Sequence, residues 1–259
     1  HISMTQALPG TDFSSSGLIR LLAELSILEA AGSREFPAER LGQWLDVAAA
    51  ITLHAAHNAG SASSRAAQPV VKLGSGVAVQ EEFARLRTAR VESITASCSP
   101  AGGSTRIRLP LPKLGVDPEA AAAYGPYRRF YLAHQAEIEP GIRALRSRLR
   151  QALAGASTRL RLLAALDEAL GRILTARERQ LLATLPSLLE RRFQQLLAAH
   201  QRALLDSGQA DEPLLWMQPG GWLAIFCEEL QAMLIAELDL RLQPTLGLIE
   251  ALHNEADRH

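Results

Sequence analysis

The 259-residue chain carries 27 basic and 27 acidic residues and is 47% hydrophobic but only 5% aromatic. That length buries a real core in one large domain or two small ones without covalent staples. Two cysteines far apart and in no metal spacing, Cys98 and Cys227, exclude a disulfide framework and suit free thiols in a reducing cytoplasm. Zero net charge argues against a dedicated nucleic-acid binder, and no apolar run approaches the ~18–20 residues of a membrane span.

His1-Ile2-Ser3 reads as a cloning scar ahead of a native start at Met4, with no signal peptide. An N-terminal helical hairpin is expected over residues 1–57. "SSSGLIRLLAELSILEAAG" opens on Ser caps, stops at Gly32 and sets Leu18, Leu21, Leu22, Leu25 and Leu28 on one face. Pro37 opens a second helix whose face holds Leu41, Trp44, Ala48, Ile51 and Ala55.

Residues 58–115 read as a flexible linker and irregular segment with one short helix. "NAGSASSRAAQP" is linker by composition, and "EEFARLRTARVESI" is the short helix. "CSPAGGSTRIRLPLPKLG" is punctuated by Gly, Ser and Pro, so the alternation in "TRIRLPL" reaches at most an edge strand or an extended segment.

Residues 116–259 carry a helical bundle. Asp117 caps and Pro118 opens a first helix, which Gly125-Pro126 interrupts. The next runs from Pro126 to about Ala154, kinked at Pro140, and another from Thr158 to Thr184. Pro186 either kinks that helix or opens a fresh one reaching Leu205. "DSGQADEP" is a loop, "QPGGW" precedes the last long helix, and Pro244 bends or breaks it. The fold class is therefore all-α, an N-terminal hairpin plus an antiparallel bundle of long, proline-kinked helices.

Charge is uneven along the chain. Arg128 to Arg161 holds 8 Arg against 2 Glu, whereas Asp206 to His259 holds 10 acidic residues against 2 Arg. The two regions are expected to pack against and complement each other; separate faces for separate partners are the alternative.

Enzyme signatures are missing. "LGSGVA" lacks the Lys-Ser/Thr of a phosphate loop, and there is no dinucleotide fingerprint, G-x-S-x-G elbow or H-E-x-x-H. His54 and His57 diverge on a helical wheel. Glu250-Ala-Leu-His253 is one half of a di-iron motif without its second half. No catalytic residue, metal ligand or cofactor is assigned.

Tyr124, Tyr127 and Tyr131 are the only tyrosines, spaced i, i+3, i+7, with Phe130 beside them and Arg128 and Arg129 interleaved. Such a stripe is either an interface of aromatic and Arg residues or a core face with Arg in water. The run "RALRSRLRQAL" can lie on nucleic acid or anionic lipid, or form ion pairs with acidic helices.

In the last long helix, which contains "MLIAELDLRLQPTLGLIEAL", Phe226, Leu230, Met233, Leu234 and Leu240 fall within about 60° of Glu237 at about 100° per residue, and Arg241 falls about 40° away. Asp239 faces the opposite side, so Glu237 and Asp239 are no catalytic carboxylate pair. Glu237 and Arg241 are expected to form a structural ion pair inside the bundle, joined by Arg191 or Arg192 of "ERRF". A seam for another helix is the alternative.

"ERLGQWLD", "YGPYRRFYLAHQ", "RERQLLATLPSLLERRF" and "AELDLRLQPTLGLIEAL" resemble blocks of a proteobacterial family catalogued as domain of unknown function 3348. The resemblance spans nearly the whole chain outside Asn58–Ala78, and its blocks carry no transferable catalytic role. Genes of that family often neighbour those for an inner-membrane protein and a peptidoglycan-binding protein, which implies a cytoplasmic component of an envelope-spanning assembly.

These readings point to a non-enzymatic helical adaptor or scaffold that binds another protein through Tyr124, Tyr127, Arg128, Arg129 and Tyr131. It is expected in the cytoplasm, peripheral to the inner membrane through its partner, and self-association stays open. The alternative is a nucleic-acid-binding regulatory protein that uses the Arg-rich helix.

Overall fold

The computed structural model describes Leu18, Leu21 and residues 73–99, 105–113 and 115–256. Among these residues every α-helix packs into an all-α bundle and there is no strand. The elements are α1 (Leu73–Cys98), the short α2 (Pro118–Ala121), α3 (Gly125–Ala156), α4 (Thr158–Leu182), α5 (Leu185–Ser207), a 3-10 turn (Pro213–Leu215) and α6 (Trp222–Ala256).

Local chemistry sets the helix ends. Prolines open α2, α3 and α5 in their first turns, where no amide donor is needed. The Ser157 hydroxyl accepts from the Leu160 amide at 3.2 Å and so caps α4. Gly208 closes α5 in the left-handed region, φ 66°, with its amide on the Leu204 carbonyl. Pro186 thus begins a fresh helix. By contrast, α6 runs unbroken through Pro244 for 35 residues, and α3 runs through Pro140. Burial on both sides of each proline outweighs the one ladder hydrogen bond it removes.

The helix expected inside the linker is longer than its sequence suggests. α1 has 26 residues and packs against both α3 and α6, so it belongs to the bundle. Its apolar and polar residues are little segregated around the helix. After it, residues 105–113 are irregular, and the Leu109 amide donates to the Ser97 carbonyl at 3.1 Å.

Side-chain pairs fix the helix directions. Arg87–Asp239 and Gln231–Thr95 run α1 antiparallel to α6. Arg148–Glu82 and Ser97–His134 run α1 antiparallel to α3. Ser157 alone joins α3 to α4, and these pack as an antiparallel hairpin. α3 and α6 are therefore parallel neighbours.

Two apolar clusters fill the interior. The larger holds Leu18, Tyr131, Ile138, Phe193, Phe226 and Leu234, and the smaller holds Val79, Leu145, Leu149, Leu153, Leu163, Leu248 and Leu252. Phe83 and Leu86 of α1 touch both. Pro140 and Pro244 lie in the chain between the two clusters' contributions to α3 and α6, at the waist of the bundle. Leu18 is fully buried and Leu21 packs beside that core; the rest of the hairpin expected over residues 1–57, with His54 and His57, and the linker to residue 72 lie outside the described residues. Among the described residues no helix is long and apolar enough to cross a membrane.

Candidate functional site around the buried polar cluster

The tyrosine stripe faces inward. Tyr124, Tyr127 and Tyr131 are at most 5% exposed. Tyr124 and Tyr127 sit against Phe193 and Phe226 with ring centroids 5.5–6.3 Å apart, and the Tyr124 hydroxyl donates to the Pro186 carbonyl at 2.5 Å. Burial drives all three phenols well above their ordinary value. The expectation that these rings form a partner-binding surface is thus corrected: three phenols would leave an aromatic core open if turned outward. Arg128 and Arg129 do remain exposed.

Tyr131 is the link to the charges of α6. Glu237 is fully buried, and Tyr131 donates to its Oε2 at 2.7 Å. The Gln135 amide nitrogen reaches both carboxylate oxygens at 2.9 and 3.0 Å. One turn along α6, Arg241 donates from Nε at 2.8 Å and from a terminal nitrogen at 2.7 Å. This fully buried carboxylate is held by four donor atoms from three side chains. Neither Arg191 nor Arg192 takes part. Arg192 forms a two-point pair with Glu229 at 2.6 and 2.8 Å, because α5 and α6 pack antiparallel at that level.

The second carboxylate on Arg241 is Glu178 of α4, at 3.5 Å. Burial lifts its pKa to about 7, while Arg241 and Arg146 pull it down. Asp239 points the other way and takes a two-point bond from Arg87 of α1, at 2.8 and 3.0 Å.

The Arg-rich run is spent on internal pairs. Arg146 and Arg150 converge on Asp167 at 2.5 and 3.2 Å, Arg143 meets Glu139 at 2.5 Å, and Arg148 meets Glu82. These carboxylates belong to α1, α3 and α4. Complementation by the acidic C-terminal region is therefore slight, with Arg159–Glu255 at 3.6 Å joining the two.

Other titratable groups are structural in setting. Ser97 donates to the Ile94 carbonyl at 2.7 Å, so its oxygen accepts from His134 Nε2 at 2.8 Å, which fixes the histidine tautomer. Burial pushes His134 down to about 4. Burial also raises the Cys98 thiol to about 11 and the Cys227 thiol to about 12. His253 lies along α1 where Gly76 lets the helices approach, and among the described residues no three His, Cys, Asp or Glu side chains gather as a metal set.

Beside the polar cluster a cleft of about 490 Å³ opens between α3, α4 and α6. Arg241 forms part of its wall, with Arg128, Gln135, Glu139 and Arg179. Gln135 was legible in the sequence, one turn after Tyr131 on the same face. Glu178 was not, since it sits among solvent-facing polar residues and its burial depends on α6.

A helical bundle pinned by a buried ion pair, with an arginine-lined cleft beside it, is the class these features define. The chain belongs to the family described as "Protein of unknown function (DUF3348)", whose model matches residues 4–254. No curated protein and no solved structure matches the chain.

Proposed function

We propose that the protein is a non-enzymatic helical adaptor or scaffold that binds another protein, as a cytoplasmic component of an envelope-associated assembly. The outer face of α4 carries this reading. α4 packs against α3 and, more lightly, α6, and its opposite side presents Leu162 at 60% and Ile173 at 69% exposure. Leu166, Ala169 and Ala176 fall between and beyond them at the three- and four-residue spacing of a helix-pairing seam. Exposed Arg161, Arg172 and Arg179 outnumber Glu168 along this side. The partner it fits is an amphipathic helix with acidic flanks.

The internal pairing of Arg143, Arg146, Arg148 and Arg150 supports this reading over a nucleic-acid-binding one, because those guanidiniums already carry carboxylates. The test is affinity purification from the native host with mass spectrometry, comparing wild type with Leu162→Glu/Ile173→Glu. A specific co-purifying protein is expected to be lost from the variant while helical content is kept. Retention of every co-purifying protein rejects this surface.

A further inference from the structure

We propose that the cleft between α3, α4 and α6 binds a small organic anion, a carboxylate or phosphate ester on an aliphatic stem. This inference is distinct from the adaptor reading: the cleft shares Arg179 with the α4 surface but neither Leu162 nor Ile173. The volume, about 490 Å³, lies within the ordinary range for small-molecule sites.

Charge selects the head group. Arg128, Arg179 and Arg241 line the cleft; Glu139 offsets Arg179 and Glu237 offsets Arg241, which leaves Arg128 as the uncompensated charge among them. Glu139 is already bound by both Arg143 and Arg179. Among the described residues Arg128 makes no ion pair, so its guanidinium is available. Arg241 is the built element of the site. Its side chain is only 8% exposed, and Glu237 and Glu178 hold its fork in place. A fork fixed before the ligand arrives loses little rotamer freedom on binding. Glu237 takes the Nε and one terminal nitrogen of Arg241, so Arg241 offers a ligand only its remaining N–H groups, and the free planar fork that matches a carboxylate or phosphate is that of Arg128.

The apolar wall selects the stem. Leu132 is 37% exposed on this side of α3, and Ala136, Ala183 and Pro186 continue the surface. Among the described residues no aromatic ring lines the cleft, so they offer no stacking platform for a nucleobase. An aliphatic stem is the better complement.

The test is isothermal titration calorimetry of the full chain with hexanoate, hexyl phosphate, inorganic phosphate and hexanol. At least one hexyl anion is expected to bind one-to-one and saturably, with hexanol and inorganic phosphate about tenfold weaker or worse. Arg128→Ala/Arg179→Ala should weaken that binding by about tenfold or more, and both residues are exposed enough for the fold to survive. Leu132→Asp, a second variant, should abolish it. Flotation with phosphatidylglycerol vesicles separates sources: capture through the same arginines assigns the head group to a lipid, and no capture alongside hexyl phosphate binding assigns it to a free molecule. No saturable heat with either hexyl anion, equal binding of hexanol, or undiminished binding by the double variant overturns the proposal.

Discussion

Glu178 lies 3.5 Å from the Arg241 guanidinium, yet burial holds its carboxyl up at about 7. Arg241 and Arg146 act against that shift, and Glu237 and Glu139 add to it. The unfolded carboxyl ionises near 4.5, so over the interval between, the folded state keeps a proton that the unfolded state releases. The resulting stability is full below pH 4.5 and is lost as pH rises through about 7. Urea denaturation of Glu178→Gln should give a higher midpoint at pH 8 than wild type and a flatter pH profile between those values. A lower midpoint at pH 8 would mean that ionised Glu178 supports Arg241 instead.

His134 has the reverse sign. Its folded value of about 4 is below the ordinary 6.5, so its contribution is full above pH 6.5 and declines as pH falls toward 4. In wild type the rising Glu178 contribution offsets this decline on acidification. In the Glu178→Gln background the acid-side loss should stand out, and its persistence in Glu178→Gln/His134→Phe would assign it to another group.

The Glu237–Arg241 pair makes an energetic prediction that exposed pairs do not. Removing one partner strands a buried charge, so Glu237→Gln should cost about 3–5 kcal/mol in denaturant titration. Replacing both, as Glu237→Leu/Arg241→Met, should cost clearly less than the sum of the singles. Strict additivity would show that the two side chains do not depend on each other. Truncating Arg87, whose bond to Asp239 is about half exposed, should cost under about 1 kcal/mol by comparison.

Much of this architecture follows from patterns short enough to read in one helix. Caps, prolines and apolar stripes mark α3, α4, α5 and the start of α6, though not its unbroken passage through Pro244, and the wheel sets Glu237 and Arg241 on one face with Asp239 opposite. What did not follow depended on neighbours distant in the chain. The tyrosine spacing defines a helix face, but only Phe193 and Phe226 on other helices make that face interior. α1 reads as only a short helix within a linker because its apolar residues are spread between two packing partners, α3 and α6, which blurs any single stripe. Glu178 reads as surface charge until α6 covers it.

The turn before α6 has no room for a side chain at Gly221. A Cβ there would stand 2.2 Å from the Trp216 carbonyl oxygen, a backbone atom that accepts from the Ala224 amide and cannot swing aside. Gly221→Ala should lower the thermal midpoint by several degrees, the scale of a loss of about 1–3 kcal/mol. Gly155→Ala, at a helical position with open space around it, is the control and should not destabilise.

That turn also brings Trp216 and Trp222 together, with ring centroids 5.1 Å apart and planes at 58°. Trp216 is further fixed by its indole bond to Asp211 at 2.7 Å. Two indoles so close and so tilted share their electronic excitation, and the shared transition has a handedness set by the turn. The protein thus contains its own chiroptical reporter for the junction of α5 and α6. A paired signal of opposite signs in circular dichroism should vanish with Trp216→Phe while the helical bands persist, and its decay on heating would time the opening of this junction against the melting of the helices.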